Sequence, residues 1–166
     1  MLQKLSCAAL WTLCIHPSAS ARPKSLLGDT LPTVNRLVVE YVTDHVGRKV
    51  DRGECWDLAA AALNSAHADW DGTYGFGRVV DPQKDEILPG DIIQFEGVTV
   101  EKRTTTSLLR ETYGHHTAVV LHVLANGEYT IAHQNFGDAG RKVSTTPLRL
   151  SDVRSGKITF HRPQAR

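Results

Sequence analysis

Cysteine is scarce in this chain of 166 residues, which holds only Cys7, Cys14 and Cys55. Two of the three fall in the opening stretch MLQKLSCAALWTLCIHPSASA, which has the three parts of an export signal. Lys4 supplies the positive start, Leu5 to Ile15 is an apolar run too short to span a bilayer, and Ala19-Ser20-Ala21 is a small-x-small cleavage pattern. Cleavage after Ala21 and a secreted or periplasmic location are therefore expected. Trp11-Thr12-Leu13 is too bulky to precede a lipid-attachment cysteine. Without residues 1–21 about 145 residues remain, enough for one domain with a proper core. Cys55 is then alone, which excludes an internal disulfide. An unpaired cysteine in an oxidising compartment is a liability unless it is used or buried.

An excess of charge is also missing. Lys4 is one of 19 basic residues, so the rest of the chain balances its 18 acidic ones. Such a chain has no electrostatic footprint for nucleic acid. No later apolar run is long enough to cross a membrane. His45, His67, His122 and His161 lack the short paired spacing of a zinc site. There is no repeat and no low-complexity segment. No cofactor, metal or stable membrane span is expected, and the domain is expected to be a monomer.

What is present reads as helices followed by strands. Residues 22–31 form a polar lead-in, and Thr33 is the expected N-cap of a helix whose apolar positions Leu37, Val38, Tyr41, Val42 and Val46 follow helical spacing up to Gly47. A basic loop, Arg48 to Gly53, leads to a second helix from about Glu54 to Ala68, with Trp56, Ala59, Ala60 and Leu63 as its buried stripe. Glycines and Pro82 then mark a long loop, and Leu88-Pro89-Gly90-Asp91 is a turn before Ile92 to Phe95. Further strands are expected at Val98 to Thr105, His116 to Leu124, Glu128 to Asn135 and Lys157 to His161, with Asn126-Gly127 as a two-residue hairpin turn. Helices first and an antiparallel sheet afterwards make an α+β fold, one domain over residues 32–163.

Cys55 falls in the first turn of the second helix. Unpaired backbone N–H groups there favour a thiolate and can hold an oxyanion, so Cys55 is a candidate nucleophile. A buried, inert cysteine is the competing reading. Gly114-His115-His116-Thr117-Ala118-Val119-Val120 offers a base at the start of a buried strand. The two histidines point to opposite faces, so at most one faces Cys55, and spacing does not choose between them. In Tyr129 to Phe136, alternation sets Ile131, His133 and Asn135 on one face and Gln134 on the other. A polar group there can fix the tautomer of an imidazole on the neighbouring strand. Ending an edge strand is the plain alternative role for His133 and Asn135.

Four segments in order, Gly53-Glu54-Cys55-Trp56-Asp57, Leu88 to Phe95, Gly114 to Val120 and Ile131 to Phe136, resemble the CHAP branch of the NlpC-type, papain-like cell-wall peptidases and amidases. The resemblance implies a papain-like fold with N-terminal helices on a central antiparallel sheet of about five strands. It implies Cys55 as nucleophile and His116, rather than His115, as base. His133 takes the third position, where many CHAP members have glutamate, and Asn135 is a supporting or substitute orienter. The implied substrate is peptidoglycan or another peptide amide, cut through an acyl-enzyme. The loop from Val46 to Glu54 holds only Asp51 among its aspartates, so the calcium site of some CHAP members is not carried over. The insertion from Val98 to Tyr113 is expected either to rim the groove or to be a solvated hairpin. Two rivals stand beside this reading. Gly-x-Cys-x-Asp also opens a transglutaminase helix, although Ala118 replaces the aromatic expected there. The other rival is a non-catalytic secreted interaction domain.

Overall fold

The computed structural model describes residues 31–125 and 127–166. The proposed leader, most of the lead-in, and Asn126 of the expected hairpin turn lie outside the described residues. Two helices, α1 (Thr33–His45) and α2 (Cys55–Ser65), precede eight strands. These are β1 (Ala68–Asp69), β2 (Arg78–Val80), β3 (Ile92–Arg103), β4 (Leu108–Ala125), β5 (Glu128–His133), β6 (Ser144–Arg149), β7 (Val153–Arg162) and β8 (Gln164–Ala165). Six of them form one antiparallel sheet in the order β2-β7-β3-β4-β5-β6, while β1 and β8 pair separately. The result is a mostly-sheet α+β fold with six strands in the main sheet, where about five were expected.

The differences from expectation have local causes. Pro32, not Thr33, occupies the cap position of α1, and no side chain caps it. The two strands expected at residues 92–105 are one continuous strand, because β3 stays paired with β4 from Ile92↔Val119 to Arg103↔Leu108. Alternation lapses in both strands at the same level. Phe95 and Val98 are buried with Glu96 and Gly97 exposed between them; opposite, Tyr113 and His116 are buried with Gly114 and His115 exposed between them. Gly97, at φ +59°, gives the backbone freedom for that lapse. Residues 98–113 are thus the far end of a long β3–β4 hairpin, closed by the Thr104–Ser107 turn. The overlooked β6 carries Pro147 and lies at the sheet edge, where a missing N–H costs no ladder bond.

Alternation divides the core. Val119 and Leu121 of β4, Ile92 of β3 and Ala132 of β5 pack with α1 and α2, among them Val38, Val42, Leu58, Ala59, Ala62 and Leu63. Ala118 and Val120 share the other cluster with Ile93, Phe95, Tyr113, Ile131 and Phe160. The small alanines of α2 allow close approach to β4. Burying this helix face drives its docking at about 25 cal/mol per Å² of apolar surface.

Candidate active site

The mouth of α2 is built before the chemistry begins. Gly53, at φ +89°, turns the chain into the helix. A Cβ at Gly53 would lie 2.7 Å from Arg141 Cβ, so only glycine fits without a shift. Glu54 is the N-cap, and its backbone N–H donates to Asp57 Oδ2 at 3.0 Å within a capping box. Burial alone would raise the Asp57 carboxyl. The hydrogen bonds from Arg52 and the Glu54 backbone outweigh it and hold the carboxyl below its ordinary range.

Cys55 is the first residue of α2 and is half-buried. The helix mouth is tied to the end of β5. Gln134 is fully buried; its Nε2 donates to the carbonyls of Val50 (3.0 Å) and Glu54 (2.8 Å), and its Oε1 accepts from the Val50 N–H at 3.1 Å. Asn135 adopts φ +58° and donates Nδ2–H to Glu54 Oε2 at 2.7 Å. The expected alternation therefore stops at His133: Asn135 has left the strand and binds the helix cap.

His116 and His133 meet. His116 Nε2 lies 3.0 Å from His133 Nδ1, and His133 Nε2 lies 3.4 Å from Thr146 Oγ1 on β6. The distances admit two directions: His116 donating Nε2–H to His133 and His133 donating Nε2–H to the Thr146 hydroxyl, or Thr146 donating to His133 Nε2 and His133 donating Nδ1–H to His116; catalysis as a base needs the first. In the first direction His116 Nδ1 carries the lone pair, and among the described residues it makes no hydrogen bond. Around His116 stand Phe95, Tyr113 and Phe136, with ring centroids 6.1, 5.5 and 5.4 Å away. Burial among them pushes His116 down to about 4. Burial, then the neighbouring His116 and Lys102, push His133 down to about 3. At neutral pH both rings are uncharged.

Beyond Thr146 the polar chain continues. Tyr113 is raised above its ordinary value by burial and then by the Glu111 carboxylate, to which its hydroxyl donates at 3.1 Å. Glu111 is ion-paired with Lys102 at 2.9 Å. Thr146, Tyr113, Phe136 and Gln134 were not singled out from the sequence for these roles. Only Gln134 and Phe136, beside His133, had any motif to mark them.

The sulfur is less closely engaged. Among the described residues no hydrogen bond joins Cys55 Sγ to His116. α2 lies on the sheet face of Val119, whereas His116 packs with the aromatic cluster of the opposite face. The β4–β5 ladder runs no further along β4 than Val119↔Ala132, and β5 ends at His133. Gln134 and Asn135, just past the end of β5, tie the α2 mouth to the sheet. His115 is exposed, shares the sheet face of Thr117 and Val119 on which α2 lies, and its Nε2 is 3.4 Å from Gln94 Nε2. Among the described residues no group of three or more His, Cys, Asp or Glu is arranged to hold a metal, and no helix is long and apolar enough to cross a membrane.

A helix opened by a cysteine and docked on a histidine-bearing antiparallel sheet is the architecture of the papain-like cysteine proteinase fold. The chain belongs to the AIM3/BBC1 cysteine proteinase-fold domain family, whose model matches residues 16–166. It is similar to Altered inheritance of mitochondria protein 3 of Debaryomyces hansenii, with 29% identity over 167 residues. That match takes in 84% of this chain and 18% of the yeast protein, so the chain spans under a fifth of its relative's length. Among solved structures it is similar to Ly7917 with the hydrolysing product of MDP. The TM-score is 0.50 and the identity 16%, over 78% of this chain and 62% of that one. A second Ly7917 structure gives a TM-score of 0.47 at 17% identity, over 76% and 62%.

Proposed function

We propose that the domain is a cysteine hydrolase that cleaves amide bonds, with Cys55 as nucleophile, His116 as base and His133 as the group that orients the base. The observation supporting this reading is the 3.0 Å hydrogen bond between His116 Nε2 and His133 Nδ1, the two histidines that the motifs single out. In the reaction, Sγ bonds to the amide carbonyl carbon while its proton passes to His116 Nδ1. The backbone N–H groups of the first turn of α2 receive the oxyanion. His116 then protonates the leaving amine as the C–N bond breaks. Water, deprotonated by the same Nδ1, releases the acyl group and restores the thiol. A neutral His116 at pH 7 is suited to take the proton during attack. His133, neutral rather than anionic, steadies the imidazolium less than a carboxylate does, and Asn135 holds the side chain of Glu54, the residue before Cys55.

In its finer form the reading is the one the motifs imply, a secreted peptidoglycan amidase or stem-peptide endopeptidase. The likeness to a structure holding the hydrolysing product of MDP makes wall fragments the first substrates to try. A second reading, a non-catalytic interaction domain, is favoured by the missing Sγ–His116 hydrogen bond.

The test incubates wild type and Cys55→Ala with bacterial sacculi, with MDP and with a pool of unmodified peptides, and identifies the products by mass spectrometry. New termini that need Cys55 are expected. Cleavage of peptides but not of sacculi or MDP keeps the hydrolase and removes the wall substrate. Equal products from both proteins, or none from either, overturn the mechanism.

A further inference from the structure

Directly before Cys55 stands a carboxylate that works against the proposed chemistry. The capping box sets the Glu54 side chain against the Asp57 N–H, at the same helix mouth that is to hold a thiolate and then an oxyanion. Like charges at one place oppose each other, and an N-cap carboxylate competes for the free N–H groups of the first turn. The N–H groups of Cys55 and Trp56 nevertheless make no hydrogen bond among the described residues.

Both oxygens of that carboxylate are held by the chain that follows β5. Oε1 is ion-paired with Arg141 at 3.0 Å, and Oε2 accepts from Asn135 Nδ2 at 2.7 Å. Arg141 is itself fixed, since it donates Nη1–H to the Arg52 carbonyl at 2.8 Å and its Cβ lies against Gly53. Two backbone bonds fasten its loop to the one before α2: Gly47 N–H to the Val143 carbonyl and Val143 N–H to the Arg48 carbonyl, both at 2.8 Å. Closing the capping box does not require these contacts, because the Glu54 N–H already donates to Asp57 Oδ2 at 3.0 Å.

We propose that Arg141 and Asn135 are positioning residues that act on Cys55 through Glu54. Arg141 cancels the charge of the carboxylate, and the two together pin it at Asp57, so that the N–H groups of Cys55 and Trp56 stay open to the sulfur and the oxyanion. The inference rests on Cys55 being the nucleophile. It puts Asn135, expected from the motifs to support the base, on the sulfur's side of the reaction.

The test follows iodoacetamide labelling of Cys55 by mass spectrometry from pH 5 to 9, in variants that far-UV circular dichroism shows to be folded. Arg141→Ala is expected to slow labelling at pH 7 about two- to fivefold, the scale of one charge at a helix end, and to move the pH–rate curve upward. Arg141→Lys, which keeps the charge, is expected to retain most of the rate. Adding Glu54→Gln to Arg141→Ala is expected to restore it, because the charge to be cancelled is gone; a loss of packing alone is not mended by a second substitution. Should Arg141→Ala not fold, Asn135→Gly, which suits the φ +58° backbone, opens the clasp from its other side and is judged by the same rescue. A rate in Arg141→Ala equal to wild type, or a slowed rate that Glu54→Gln leaves slow, overturns the clasp. Cys55-dependent peptide cleavage by wild type judges the nucleophile separately: its absence, with the labelling pattern as expected, counts against the catalytic reading alone.

Discussion

His116 carries the heaviest chemical demand of any single residue, because its two nitrogens have unlike surroundings. Nε2 is committed to His133, and among the described residues Nδ1 makes no hydrogen bond. Burial lowers its proton affinity, so the acid limb of any Cys55-dependent rate is expected near pH 4, well below the 6.5 of an ordinary histidine. Cys55-dependent cleavage of a peptide substrate, followed from pH 3 to 8, measures that limb; a limb at 6.5 contradicts the burial of the base. The same burial sets a stability trend. The unfolded chain protonates His116 near pH 6.5 and the folded one near 4, so between these values the unfolded state binds more protons and stability falls as pH drops. The loss reaches about 3 kcal/mol once pH 4 is passed. Thermal unfolding at pH 7 and pH 4.5 is expected to show a shallower difference in His116→Gln than in wild type. Thr146→Val should leave folding nearly intact but free His133 to rotate, lowering kcat more than it raises KM. The pairing of His116 with His133 was legible from the two motifs, since a buried strand and its neighbour had to bring them close. The rest of the polar chain was not. Thr146 sits on a strand whose sequence has no apolar period, and Tyr113 belonged to a stretch read as an insertion.

At the scale of elements, the mouth of α2 is where local sequence and tertiary contact agree most closely. Gly53, the Glu54 cap and Asp57 read as a helix start, and the structure adds a clamp from Gln134 that spans 80 to 84 residues of sequence. Gln134→Ala leaves the Val50 N–H without its partner and takes one of two donors from the Val50 and Glu54 carbonyls, which keep the N–H groups of Gly53 and Asp57, and a cost of roughly 1–3 kcal/mol is expected. If the clamp sets the site, Cys55 labelling slows in this variant at temperatures where far-UV circular dichroism shows it folded. An unchanged labelling rate there means that α2 alone fixes the sulfur. The helices and the central strands were legible because each carries a period, 3.6 or 2, over enough residues to be counted. β1, β2 and β8 are two or three residues long and have no period to read. The β3–β4 hairpin looked like two strands and an insertion because the paired lapse at Glu96-Gly97 and Gly114-His115 breaks the pattern while cross-strand bonds carry the ladder through.

Across the whole molecule, the helical layer is fastened to the sheet by a buried charge that no local pattern announced. Asp91, fully buried at the start of β3, accepts from Asn35 Nδ2 of α1 at 2.9 Å, from the Leu88 N–H at 2.9 Å, and from Arg162 at the end of β7. Asn35 also donates to the Pro89 carbonyl, and Gly90 lies so close to the Asn35 backbone that a Cβ there would collide with it. The Leu88 to Asp91 turn read from the sequence is thus more than a lead into a strand. It is the joint at which α1, the central strand and the last long strand meet. Removing one partner of such a joint strands a carboxylate in the interior, which costs more than the net gain of forming the pair. Arg162→Leu is therefore expected to destabilise by about 3–5 kcal/mol, lowering the melting temperature by on the order of 10 °C. The double variant Asp91→Leu with Arg162→Leu should recover part of that loss, because the uncompensated charge goes with its partner; calorimetry of the four proteins in the cycle measures it. Since the joint lies at the opposite end of β4's buried stretch from His116, Cys55 labelling in the folded single variant should match wild type. A change would mean that the layers move as one body when the joint is weakened, and that the α2 mouth moves with them.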